Sequence, residues 1–239
     1  MQRYLSALIP VSAAILLAAC SSSGLSSTFA LVGAPAQDSF TSSANFLISG
    51  KTCNYYTYRG DGTNPPEVGE GCTVMEDRAN SLGHSHALVK IGFATAKGEQ
   101  VLTLTQAGNN ALAATNIPDI GMYLPENWKV AAPATDMILN SAVAGSVYSG
   151  LAIHIDGVRC ALTITPVSDN TPVSMPCGLM FWSGSVVSIA IPGSLISSAW
   201  TGHPWNLNFS RDSSKAGAWN LAKPPTGFPA SYTEAAPAK

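Results

Sequence analysis

The sequence predicts an all-β protein: a single antiparallel β-sandwich, jelly-roll or immunoglobulin-like, stapled by two disulfides. Three observations predict it. Apolar and β-branched runs are short and end at Gly, Pro, Asn or Ser, the pattern of strands and turns. Asp156-Gly157 stands between two such runs, a strong hairpin signal because a type I′ turn needs positive φ twice. Cys53, Cys72, Cys160 and Cys177 form an even set in a chain that opens like an exported protein.

The N-terminus sets the address. Arg3 supplies a basic start, and an apolar run with small residues follows from Leu5 to Ala19, interrupted by Pro10. That run is shorter than the about 20 residues a bilayer-spanning helix needs, so it reads as a secretory signal over 1–19. Its end, Leu17-Ala18-Ala19-Cys20, followed by Ser21-Ser22-Ser23-Gly24, resembles the lipobox of bacterial lipoproteins. The resemblance implies lipidation of Cys20, cleavage before it, and a flexible tether over 20–26. Several acyl chains on one residue anchor stably where one alone is marginal. Ser21 in place of Asp resembles the version sorted to the outer membrane, so the membrane partner is expected through a lipid anchor.

Strands are expected at 28–32, 45–48, 53–58, 87–94, 100–105, 151–155, 158–165, 179–182, 185–191 and 205–209. A second, weaker hairpin is expected at Ser183-Gly184. Two stretches, 107–116 and 138–147, have some helical character, but Gly108, Asn109, Asn110 and Gly145 argue against long helices. No internal repeat is visible. One domain is expected over 27–221, with a Pro- and Ala-rich tail over 222–239. Three pairings of the four cysteines are possible, and spacing favours Cys53–Cys72 and Cys160–Cys177. Each would close a loop of about 20 residues, worth roughly 3 kcal/mol in the chain-entropy model.

Composition narrows the function classes. The 239 residues are 46% apolar and 11% charged, with 12 basic and 14 acidic side chains and a net charge of −2. A typical soluble domain is about 25% charged, so this chain is charge-poor. The balance removes the basic footprint of a nucleic-acid binder. An apolar, charge-poor chain is also not a disordered one.

Motifs for catalysis are thin, and the expectation is that the protein is not an enzyme and needs no cofactor. Gly83-His-Ser-His-Ala87 superficially resembles the G-x-S-x-G nucleophile elbow, but the strand before it and the helix after it are missing from the pattern. His84 and His86 share a strand face and would hold a metal if His154 or His203 joined them. Solvated loop histidines are the commoner explanation. Arg59-Gly60-Asp61 is a possible adhesion tripeptide in an exposed loop, although Asp61-Gly62 is also an ordinary turn.

The segment after Ser188-Ile-Ala-Ile-Pro192 is the most informative. It carries Trp200, Trp205, Asn208, Phe209, Arg211 and Trp219, and the spacing W-x-x-N-F-x-R from Trp205 to Arg211 resembles the C-terminal part of family-9-type carbohydrate-binding modules. That resemblance implies a β-sandwich that holds sugar between aromatic rings without doing chemistry. Trp200, Trp205, Asn208, Arg211 and Trp219 are then the candidate ligand residues. Indoles would stack on sugar faces while Asn and Arg bond hydroxyls. Trp205 and Phe209 share one face of a strand, however, and large aromatics more often belong to the core. Three functions follow, the first two being a binding or structural component of an envelope assembly with a protein partner, and a surface-glycan binder. Low charge favours the first, since interface cores are depleted of charge; a periplasmic metal binder using His84 and His86 is the third.

Overall fold

A computed structural model describes residues 28–34, 41–61, 67–78 and 88–235. The described chain is almost wholly strand. In order, β1 (Thr28–Gly33), β2 (Thr41–Ser49), β3 (Thr52–Arg59), β4 (Glu67–Asp77), β5 (Leu88–Thr95), β6 (Gly98–Gly108), β7 (Ala111–Asn116) and β8 (Asn127–Ala131) close into one barrel. Next, β9 (Ala134–Ser141), β10 (Tyr148–Gly157), β11 (Arg159–Pro166), β12 (Val173–Trp182), β13 (Val186–Pro192), β14 (Pro204–Arg211), β15 (Ala218–Ala222) and β16 (Ser231–Ala235) close into a second. The all-β expectation and both disulfides hold. The single sandwich does not, because β1 pairs back onto β8 and β9 onto β16, so each sheet closes on itself. β16 lies within the Pro- and Ala-rich segment read as a tail, where Tyr232 and Glu234 pair with Ser141 and Leu139 to complete the second barrel.

Strand alternation fills both barrels with apolar side chains. Phe46, Tyr55, Phe93 and Trp128 cluster inside the first, with the Phe46 ring 4.7 Å from Tyr55 and 5.0 Å from Trp128. Ile153, Leu162, Ile189, Leu207, Phe209 and Trp219 fill the second. Eight strands leave an interior just wide enough for side chains to fill. Outward positions carry neutral polar residues such as Thr103, Thr105, Thr163, Asn206 and Asn208. This polarity is the reverse of a membrane-spanning barrel, whose outer band is apolar. No helix among the described residues is long and apolar enough to cross a membrane.

The second barrel repeats the first, strand for strand. Cys53 pairs with Cys72 between the third and fourth strands of one barrel, and Cys160 with Cys177 between the third and fourth of the other. Both disulfides join directly opposed residues with Cα atoms 5.0 Å apart. A bulge interrupts the register at Met75 in β4 and at the matching Met180 in β12. Ile91 opposite Leu102 matches Ile189 opposite Leu207, and Leu112 opposite Trp128 matches Trp219 opposite Tyr232. The hairpins before the first cysteine of each pair also match. Ser49 opposes Thr52 and Asp156 opposes Arg159, with Gly50 and Gly157 at φ 60° and 62°. Gly157 is thus the first central turn residue, the place glycine takes in a type II′ turn rather than the expected I′.

Ala132 and Pro133 alone separate the last strand of one barrel from the first of the next. The barrels also touch side by side. Ser42, Ser43, Ala44, Asn45 and Phe46 are buried in an unbroken run, because Phe46 faces the interior of its own barrel while Asn45 faces the other. The Asn45 amide donates to the Leu179 carbonyl at 2.9 Å. Tyr58, only 2% exposed, lies against Gly178, where an added Cβ would stand 2.7 Å from the ring. Burial, and then the charge of Asp61, push the Tyr58 hydroxyl above its usual pKa. A glycine at 178 is therefore what lets the barrels approach.

Candidate functional site

The bulge in β12 builds the most distinctive surface. Leu179 points into its barrel opposite Ile189; Met180 is the extra residue, so the next inward position is Trp182, opposite Val187. Phe181 is thereby turned outward and is 45% exposed. The Trp182 indole donates to the Ala132 carbonyl at 2.8 Å, tying the end of β12 to the crossover. Across from these large side chains the first barrel presents mostly small ones, including Gly33, Ala34, Ala107, Ala111 and Ala131, with Leu112 and Val130 among them. Between them lies an apolar cleft of about 430 Å³, within the range of small-molecule sites. Trp128 lies under its floor and Lys129 stands on its edge.

A second surface on the seam between the barrels is polar. Arg159 reaches across to Glu67, Nε to Oε1 at 3.3 Å, and lies over the Tyr56 ring at 5.5 Å. The Glu67 carboxylate, first by hydrogen bonding and then by charge, holds the Arg159 guanidinium above its usual pKa. The groove extends past Asp156 and His154 on one side, with about 610 Å³, and past Asn54 and Glu70 on the other. His154 Nε2 meets Asp136 Oδ1 at 2.6 Å on the outer surface.

The residues singled out near the C-terminus do not form one surface. Arg211 and Trp219 come together: the guanidinium lies 4.9 Å from the indole centroid, and both donate to Glu234 Oε2, at 2.7 and 3.1 Å. Trp219 is only 1% exposed and packs in the second core, so its ring face is covered. Phe209 is likewise buried, and Trp205 is partly buried against the same core. Asn208 faces outward and accepts from the Ser188 hydroxyl at 2.7 Å. Trp200 ends a short 3-10 turn, Ser198–Trp200.

Other expectations fare variously. Cys20, His84 and His86 lie outside the described residues, and among those residues no group of three or more His, Cys, Asp or Glu is placed to hold a metal. In Arg59-Gly60-Asp61 the Asp61 side chain is 5% exposed and paired with its own Arg59 at 3.0 Å. Gly60 is packed against Pro204 and Ser42, so this tripeptide is not an open adhesion loop. In the sequence Phe181-Trp182 reads as the end of a strand flanking the Ser183-Gly184 hairpin, with no sign of a site. The available signal was two adjacent large aromatics before a turn, one of which must face outward in any strand. Comparison with protein families, curated proteins and solved structures finds no match for the chain.

Proposed function

We propose that the protein is a lipid-anchored, non-catalytic component of the bacterial cell envelope, held at the outer membrane through Cys20, that acts by binding in the cleft between its barrels. The observation that carries the reading is the apposition of Met180, Phe181 and Trp182 with a wall of mostly small residues. Phe181 is exposed with half-buried Met180 and Trp182 beside it, and a contiguous apolar patch of this kind is what marks an interaction site. Packed barrel interiors leave ligands the outer surfaces, and closed sheets present no free strand edge for augmentation by a partner. Filled cores and neutral outer faces favour recognition over chemistry.

Surface-glycan binding is the second reading, and the polar groove at Glu67, Arg159 and Tyr56 favours it, since carboxylates and a guanidinium suit sugar hydroxyls. The two readings separate in one experiment. Phe181→Ala is expected to weaken binding of the neutral fluorophore phenylnaphthylamine about tenfold, as at an interface hot spot, with an unchanged urea midpoint. A glycan shift on polysaccharide gels that Phe181→Ala leaves intact and Arg159→Ala abolishes would favour the groove instead. Mass spectrometry of the mature N-terminus tests the anchor: an acylated Cys20 is expected, and an unmodified one removes it.

A further inference from the structure

We propose that the inter-barrel cleft takes a small amphipathic anion, its apolar body lying against Phe181 and its negative group meeting Lys129; this rests on the cleft being the binding site. Among the described residues, Lys129 is the one ionisable side chain that lines the cleft. It has no ion-pair partner among the described residues. On β8 it stands between Val32 of β1 and Ala111 of β7, two side chains too short to reach its ammonium group. Asn127, two residues earlier on the same face, adds an amide to the same edge.

The repeat shows that this combination is particular to the cleft. Position 129 corresponds to Thr233 in the second barrel, since each follows the aromatic that closes its hairpin pair, Trp128 or Tyr232. Phe181 and Trp182 correspond to Glu76 and Asp77 in the first barrel, where Glu76 is satisfied by Lys90 and Arg78 at 3.1 and 2.7 Å. Among the described residues, neither the aromatic wall of β12 nor the lysine of β8 has a counterpart at the matching position of the other barrel. Covering a lysine head with apolar ligand alone would strip it of water without return. An anionic end group supplies the missing partner, and a cationic one would be repelled. A concave slot of about 430 Å³ also suits a small molecule better than a protein surface, which spreads over roughly 800 Å² per partner.

The test titrates the full chain with anilinonaphthalene sulfonate and with neutral phenylnaphthylamine, following fluorescence. Lys129→Gln is expected to weaken the sulfonate roughly two- to fivefold and leave the neutral probe unchanged. Added salt is expected to weaken only the sulfonate. If Lys129→Gln alters both probes alike, or neither, the anionic specificity is wrong while the cleft stands. Should Phe181→Ala leave both probes unaffected, the cleft itself is not the site. A dimer in sedimentation that Phe181→Ala dissociates would mean that a second copy fills the cleft, and would overturn the proposal.

Discussion

Removing both disulfides, by serine at Cys53, Cys72, Cys160 and Cys177, is expected to lower stability by about 6 kcal/mol. Each bond closes a loop with a sequence separation of 19 or 17 residues, which the chain-entropy model values at about 3 kcal/mol. The bonds lie in different barrels and staple different strand pairs, so their effects should add. A domain's whole stability is typically about 5–15 kcal/mol, so the fourfold variant stands near the limit of folding. Urea titrations of the two paired variants and the fourfold variant check this. A loss of under about 1 kcal/mol for either pair would show that cross-strand packing already restrains those loops in the unfolded chain.

Trp128→Ala is expected to cost about 3–5 kcal/mol, the range for deleting a buried large aromatic. Its indole is 1% exposed, tilted at 40° against the Phe46 ring, and donates through Nε1 to the Pro125 carbonyl at 2.8 Å. Alanine leaves both a cavity beneath the cleft floor and an unpaired carbonyl. Trp128→Phe keeps most of the volume and loses the bond, so it should cost only about 1–2 kcal/mol. Circular dichroism during urea unfolding measures both, and equal losses would contradict the packing argument.

Local pattern carried the strands, and closure escaped it. All ten segments read as strands lie within or across observed ones, because alternation, β-branching and bounding Gly or Pro act over a few residues. The rest escaped for two reasons. Glu67–Asp77 has few apolar residues before Cys72, and the two stretches with some helical character, 107–116 and 138–147, overlap strands β7 and β9, whose Ala-rich and Met137-Ile138-Leu139 runs have no clean alternation. The sandwich and the barrel share the same alternation, so only long-range pairings such as Gly33 with Trp128 decide between them. The repeat hid for a similar reason. Matching positions preserve geometry while exchanging Phe46 for Ile153, Tyr55 for Leu162 and Leu112 for Trp219, leaving the cysteines, the turn glycines, the bulge methionines and a few aliphatics such as Ile91 and Ile189 in common.

The C-terminal aromatics illustrate the limit at the site. Their clustering in sequence reflects one barrel wall, where alternate residues such as Phe209 go to the core and Asn208 to the outside. The cleft joins β1, β7 and β8 to β12, segments far apart in the chain. Its shape depends on the Met180 bulge, which turns Phe181 outward and which no local pattern announces. Low charge was legible and now has a structural source: the outer strand faces are built from Thr, Ser and Asn more than from Lys and Glu.

The most direct test of binding between the barrels is a crystal structure of the protein soaked with phenylnaphthylamine. Ligand density is expected against Phe181 and Trp182 on one side and Val32 and Ala111 on the other, with the aliphatic stem of Lys129 along its edge. Density inside either barrel, or along the Glu67–Arg159 groove with the cleft empty, would contradict it.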